Sequence, residues 1–590
     1  MPIFKKKGSK CDPNNYRGIT LLSCLGKLFT LCLNVRLNTF AKDKGTIGEE
    51  QAAFREGYCT MDHAFVLNEI INLYLHKKER LYCCFIDYQK AFDTINRNLL
   101  WSKIIENGIN GKILRVIQNM YKSAKSYVKQ QSMISGIFAC NMGVRQGENL
   151  SPLLFALFLN DFEISLRNKY NGLTTLRDLS RIIGSENIDF FINMYTLLYA
   201  DDTLVFAESP TQLQLALDEV GNYCHKWGLS INQLKTKVVI FFAGKVRTQY
   251  NFKIGDLDIG ASSEYCYLGV VFNFNGKFSK AIQDRIIPAR KAMFGLNEKA
   301  ANLLLPPDIQ IDLFEKMISP IFLYGCEVWG YGNVEPIEIF YRKFLKRVLG
   351  VNKTTPNCMV YGEVGKYPII HSVNKRMLAF WANISEGKTS KLSSIMYRII
   401  YKLHLDGSYH SPWLLYIKKL LCNSGFPLFW SEQELLTPKA YMKNVVALQL
   451  ENQYLQEWDQ EIYRNRKCIT YRIFKDELSF EPYLSELNFV DRRALCKFRT
   501  GNHKLPVTKS RYILGGGEIE VLCKLCQSGD VCDEFHTLFM CNFFANHRKK
   551  YLKKNYYSKP STLKMYTLFN SKGKQRLNLV KFVRFIMSQF

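Results

Sequence analysis

Over the first ~275 residues, short uninterrupted apolar bursts alternate with stretches whose apolar residues recur every three to four positions. The bursts Leu81–Ile86 (LYCCFI), Leu197–Tyr199, Thr203–Ala207 and Val238–Phe242 (VVIFF) are short and rich in β-branched or aromatic side chains, which predicts buried strands. Ile104–Tyr121 and Leu213–Trp227 carry the helical spacing and predict amphipathic helices. Strands and helices that do not strictly alternate favour an α+β domain over a doubly wound sheet. From about Phe278 to Ile384 the pattern turns helical and basic, with Ile339–Gly350 (IFYRKFLKRVLG) the clearest cationic amphipathic helix. Residues 386–500 read as helical and aromatic. The segment 501–590 holds closely spaced cysteines and then the basic, aromatic run 547–559. The expected division is therefore 1–275, 276–385, 386–500 and 501–590.

Composition narrows the partners. In 590 residues, a hydrophobic content of 47% with 22% charged residues is ordinary for a folded protein. An excess of 80 Lys+Arg over 52 Asp+Glu gives a net charge of +28, which points to a polyanionic partner. Runs such as Pro152–Leu159 fall far short of the ~20 apolar residues a spanning helix needs. The N-terminal residues also lack the apolar core of a secretory signal. Without such a signal, the eighteen cysteines are expected to be reduced, in cytoplasm and nucleus. Nucleic acid, not membrane, is then the expected polyanion.

Leu197–Ala207 reads LLYADDTLVFA, with Asp201 and Asp202 adjacent inside an apolar run. Side by side, two ionised carboxylates repel, and apolar surroundings worsen the repulsion. A hairpin tip would solvate them, since Asp suits tight turns. A bound cation would instead remove the repulsion and leave reactive chemistry. Phosphoryl transfer by two metals ~3.5–4 Å apart needs further carboxylate ligands. Asp87 meets that need, because it follows the apolar strand Leu81–Ile86 and precedes a helix, although a plain capping Asp would look the same. Asp93, six residues on, reads as a cap.

The blocks FIDYQKAFD (85–93), GVRQGENLSP (143–152), LLYADDTLVFA (197–207), WGLSINQLKTKVVIF (227–241) and YLGVVF (267–272) occur in that order. They resemble the successive palm motifs of reverse transcriptases, specifically those of non-LTR (LINE-type) retrotransposons. NYRGITLLS (15–23) and QAAFREGYCTMDHAF (51–65) resemble the finger motifs that precede them. The resemblance implies a right-hand polymerase, with fingers, a palm built on an antiparallel sheet and a helical thumb, acting on an RNA template, a DNA primer and dNTPs. It implies that Asp87, Asp201 and Asp202 bind two Mg²⁺ and activate the primer 3′ hydroxyl. It places Phe92 against the ribose 2′ position, though an ordinary core Phe at a helix start reads alike. Gln146 and Gly147 would line the nucleotide pocket. Arg17 and Arg55 would lie near the triphosphate, with a surface ion pair the other reading of Arg55. Lys235 matches a Lys suited to protonating pyrophosphate, and one of Lys235 and Lys237 is expected to be merely solvated. Two departures stand out: Glu148 occupies a position where the family has Asp, and Met1 falls inside the first finger motif. The expectation is an N-terminally truncated chain whose endonuclease activity comes from elsewhere, with apolar surface exposed where an upstream segment packs.

Farther on, PIFLYGCEVWG (320–330) and LGVNKTTPNCMVYGEVGKYPI (349–369) resemble the region after the palm in LINE-type proteins. The helix at 339–350 suits a duplex backbone, and equally a solvated face. Cys523, Cys526, His536 and Cys541 follow C-x2-C-x9-H-x4-C, a spacing that can close a structural Zn²⁺ site, with Cys532 a competing ligand. HKLPVTKSRY (503–512) and this cluster also resemble the LINE-type C-terminal segment. Two rival readings are a catalytically inactive nucleic-acid-binding remnant and an intron-encoded splicing cofactor.

Overall fold

Each apolar burst forms a strand because sheet and helices cover both of its faces. The structure is a computed structural model that describes residues 1–4, 8–174, 194–244, 250–386, 391–433, 439–508 and 521–590. The tail of HKLPVTKSRY, residues 509–512, lies outside them. Among the described residues the chain is α+β and divides into two compact units, Met1–Lys280 with Trp381–Tyr416, and Ala281–Phe380 with Ile417–Phe590.

The first unit is built on a five-stranded sheet of β1 (Leu81–Ile86), β2 (Thr196–Tyr199), β3 (Asp202–Ala207), β4 (Lys237–Phe241) and β5 (Ala261–Ser262). Its order is β5–β4–β1–β3–β2, antiparallel except for the β4/β5 pair. β1 is buried at every position, which is why its sequence is a continuous apolar run without alternation. The helices that position the site are α1 (Cys24–Asp43), α2 (Thr60–Lys77), α3 (Ser151–Phe158), α4 (Pro210–Trp227) and α5 (Leu392–Asp406). α4 starts where Ser209 accepts from Gln212 N and ends at Gly228 in the left-handed conformation.

Two expectations need correction. The helix expected over Ile104–Tyr121 is two helices, Arg97–Glu106 and Gly111–Lys122. Gly108 and Gly111 both take positive φ, +79° and +65°, and turn the chain between them. The apolar period survives the break because Ile104, Ile109, Leu114 and Ile117 enter one core. Division in strict chain order also misses the return of Trp381–Tyr416 to the first unit. There α5 packs on α2, Ser393 donates to Asp62 at 2.7 Å, and Lys391 Nζ lies 2.9 Å from the same carboxylate.

Among its described residues the second unit is helical apart from its cysteine segment. The cationic helix runs Glu335–Leu349 and stops at Gly350, φ +69°. Lys346 on it donates to the carbonyls of Lys353 and Thr355, so only part of its charge, Lys343 and Arg347, faces solvent. A fully buried ionic network joins Glu363, Lys475, Glu481 and Arg499. No described helix is long and apolar enough to cross a membrane.

Candidate active site

Strand register assembles the carboxylates. Ile86 pairs with Thr203, so Asp87, one residue on, faces Asp202 at the start of β3. Tyr199 pairs with Asp202, which leaves Ala200 and Asp201 as a two-residue turn. The hairpin is real, but its carboxylates are half-buried and not solvated at a free tip. Burial, then Asp201 and Asp87, push the Asp202 carboxyl up to about 6, with Lys235 opposing. Burial likewise raises Asp201, with Asp87 adding and Arg17 and Lys235 opposing. Lys235 Nζ stands 3.0 Å from both Asp87 oxygens, and Asn232 Nδ2 donates to Asp87 Oδ2 at 2.9 Å. Asn232 N also donates to the Asp87 carbonyl, and Asp87 N to Thr236 Oγ1, so the segment before β4 fixes this carboxylate. Lys237 lies within β4 itself.

Ala200 holds a φ of +56°, which costs a residue with a Cβ about 1–2 kcal/mol. Gln51 enforces it: its buried Oε1 accepts from Ala200 N at 3.1 Å and from Ala53 N at 3.0 Å. Backbone bonds from Ala52 N to Leu198 O and from Leu198 N to Glu50 O tie the same segment to β2. Gln51→Ala is expected to cut turnover about 10–100-fold with little change in template affinity, since small misplacement of reacting groups is costly. Adding Ala200→Gly should restore the lost melting temperature, because glycine holds that φ unaided. Steady-state kinetics and melts of both variants check this.

Glu50, beside Gln51, is a buried carboxyl whose pKa is pushed up to about 8 by desolvation, then by Glu163, against Arg167. The folded chain therefore keeps a proton that the unfolded chain releases above the ordinary glutamate value. Stability falls as pH rises from about 4.5 toward about 8, and Glu50→Gln should flatten that decline. Urea melts across this range would show it; an unchanged slope would refute it.

The other expected nucleotide residues divide. The Phe92 ring stacks on Phe155 of α3 at 4.7 Å, and its carbonyl accepts from Val144 N, which joins blocks 85–93 and 143–152. Gly147 has φ +106°, and a Cβ there would lie 2.8 Å from the Thr20 carbonyl. Thr20 N donates to the Gln146 carbonyl at 2.8 Å, so the segment carrying Arg17 docks on this loop. Arg55 donates to the carbonyls of Gly48 and Gln51 and to Glu49, and lies over the Tyr58 ring, closing its own loop. Glu148 is buried, and its extra methylene carries Oε2 to the Tyr121 hydroxyl, which donates at 2.5 Å. Sequence reasoning missed Gln51 and Asn232, although both stand inside motifs it quoted.

In the second unit the ligand atoms of Cys523, Cys526, His536 and Cys541 all lie within 4.8 Å of one another, and Cys532 is not among them. Cys526 Sγ is 3.3 Å from His536 Nε2, and His536 Nδ1 is 3.5 Å from Asp530. Gln527, at φ +53°, turns the knuckle between the two pairs. Three thiols and an imidazole brought this close fit a tetrahedral cation.

The profile described as "Reverse transcriptase (RNA-dependent DNA polymerase)" matches residues 4–272. The "Probable RNA-directed DNA polymerase from transposon X-element" of Drosophila melanogaster is 23% identical over 410 residues, 67% of this chain and 42% of that protein. The "RNA-directed DNA polymerase from mobile element jockey" of Drosophila funebris is 25% identical over 59% of this chain and 37% of its own. The "Retrovirus-related Pol polyprotein from type-1 retrotransposable element R2" of Popillia japonica is 23% identical over 61% and 49%. The chain thus spans less than half the length of these relatives. Among solved structures, apo telomerase from Candida tropicalis aligns over 70% of this chain and 60% of its own, at 14% identity and a TM-score of 0.30. Residues 4–272 thus match the reverse transcriptase family, and the relatives that extend the likeness beyond them are RNA-directed DNA polymerases and Pol polyproteins of transposable elements.

Proposed function

We propose that the chain is an RNA-directed DNA polymerase that extends a primer 3′ hydroxyl with dNTPs. The observation that carries this reading is the meeting of Asp87, Asp201 and Asp202 at one end of the sheet, with Lys235 beside them. Three crowded, half-buried carboxylates, with burial raising the pKa values of Asp201 and Asp202, suit divalent cations better than any structural role. Mg²⁺ held by these three would supply Lewis acidity for attack on the α-phosphorus. The chain's own residues do the rest. Asn232 and Thr236 fix Asp87, while Gln51 fixes the turn that aims Asp201. Lys235 Nζ is the proton donor for departing pyrophosphate, and Arg17 offsets charge beside Asp201. The Phe92 ring, seated on Phe155, stands against a ribose 2′ hydroxyl, and the Gln146–Gly147 backbone gives the nucleotide close approach. In this reading the first unit supplies fingers and palm, and the helices after Ala281 act as thumb. Wild-type chain with a primed RNA template, Mg²⁺ and dNTPs should extend the primer; RNA binding without extension would leave a nucleic-acid-binding remnant instead.

The cysteine cluster is proposed as a structural zinc site. Purified chain should carry zinc near one equivalent, and Cys541→Ser should lose it and lower the melting temperature of the second unit. Chain that melts identically with and without a zinc chelator would refute this.

A further inference from the structure

Residues 125–139 form a ribbon that is exposed at every position but Ser126. Lys125–Ser126 pair with Phe138–Ala139, and Lys129–Gln130 with Met133–Ile134. Two-stranded ribbons are marginal on their own, so its anchoring matters. Arg97 supplies it, donating to the carbonyls of Tyr121, Cys140, Met142 and Gly143 at the ribbon's base. From there the exit strand runs directly into the 143–147 loop, which bonds to Phe92 and Thr20.

The ribbon's composition is unusual for a solvated tip. Tyr127 is 53% exposed, Phe138 48%, Ile134 63% and Ile137 72%. Four exposed apolar side chains on so short a ribbon favour a binding surface over a solvated tip. Its charge has one sign: no Asp or Glu occurs between Glu106 and Glu148, while Lys125 and Lys129 project from the ribbon itself. Tyr127 between Lys125 and Lys129, with Phe138 on the pairing strand, matches unpaired bases and their phosphates, because every base has a face to stack and every linkage a charge to neutralise. Paired bases inside a duplex offer no such faces.

We infer that this ribbon grips the single-stranded RNA template just ahead of the nucleotide being copied. The inference rests on the polymerase reading, since it names the strand that enters that site. The connection from ribbon base to the 143–147 loop sets the position: an RNA strand lying along the ribbon leads to the loop beside Phe92.

Fluorescence anisotropy on an RNA template with a DNA primer, without dNTPs, tests it apart from catalysis. Two substrates are compared, one with a long unpaired template 5′ overhang and one blunt. Tyr127→Ala with Phe138→Ala should weaken overhang binding about 10-fold or more and leave the blunt duplex unchanged. Lys125→Gln with Lys129→Gln, both at exposed positions, should reduce the salt slope of overhang binding by about 1.4. Folded variants that bind the overhang like wild type would overturn the inference. So would a wild-type dimer, seen by sedimentation, that the aromatic variant dissolves without changing RNA affinity. Wild-type chain that shows the contrast in binding but never extends the primer would sink the polymerase reading alone.

Discussion

Asp201→Asn with Asp202→Asn should abolish primer extension, by on the order of 10³-fold or more, while making the first unit more stable in metal-free buffer. Loss of a single preorganised electrostatic group commonly costs 10²–10³-fold, and this variant removes two. The gain in stability follows from the same geometry. Register places Asp202 beside Asp87, and the turn places Asp201 next to both. Burial and mutual repulsion make the ionised pair unfavourable, which is why the Asp202 carboxyl holds its proton up to about 6. A folded-state pKa above the ordinary aspartate value means that stability is lost as pH rises from about 4 through about 6. Asparagine does not ionise, so the variant should avoid that loss and gain on the order of 1–2 kcal/mol at pH 7. Extension assays and EDTA-buffered melts at pH 4 and pH 7 check both halves. A variant that still extends would remove these residues from the chemistry. One that melts below wild type at pH 7 would mean the carboxylates are satisfied within the protein.

The unequal legibility of this site has a physical cause. β1 could be read from LYCCFI because a strand covered on both faces leaves an unbroken apolar signature. Asp87 could be read because it ends that strand, and Asp201 and Asp202 because adjacent carboxylates in an apolar run are costly. Gln51 could not. Its partner Ala200 is 149 residues away, and nothing local distinguishes a glutamine that braces a turn from one on the surface. Asn232 is the same case, bonded across 145 residues to Asp87. The break between the helices before and after Gly108 was hidden because both feed one core, so the period ran on. The return of α5 to α2 was hidden for the opposite reason. Its amphipathic pattern shows that one face is buried, but not which element buries it; Asp62 is what selects Lys391 and Ser393. In the second unit, the spacing of Cys523, Cys526, His536 and Cys541 was informative because metal ligands must converge.

The second large effect concerns Arg499, which no motif marks. Arg499→Met should destabilise the second unit by about 3–5 kcal/mol, the usual cost of removing one partner from a buried ion pair. The side chain is fully buried, with Nε 3.1 Å from both Glu363 oxygens and Nη2 3.0 Å from Glu363 and Glu481. Burial works against the charge, yet the two carboxylates together hold the guanidinium pKa above its ordinary value. Lys475 neutralises Glu481 at 2.6 Å, and the Tyr483 hydroxyl donates to Glu363. Two cations thus meet two anions, with the Phe474 ring 4.7 Å from the guanidinium carbon. Methionine approximates the volume of the arginine stem but leaves Glu363 without a cation, and that uncompensated anion is the main cost. Adding Glu363→Gln should therefore recover a substantial part of the loss, although each change alone is damaging. Denaturant melts of the two single variants and the pair form the decisive cycle. If Arg499→Met costs under about 1 kcal/mol, water reaches this network and it is not a closed core. If the pair is no better than Arg499→Met alone, the arginine acts through its packing on Phe474 and Tyr483 and not through its charge.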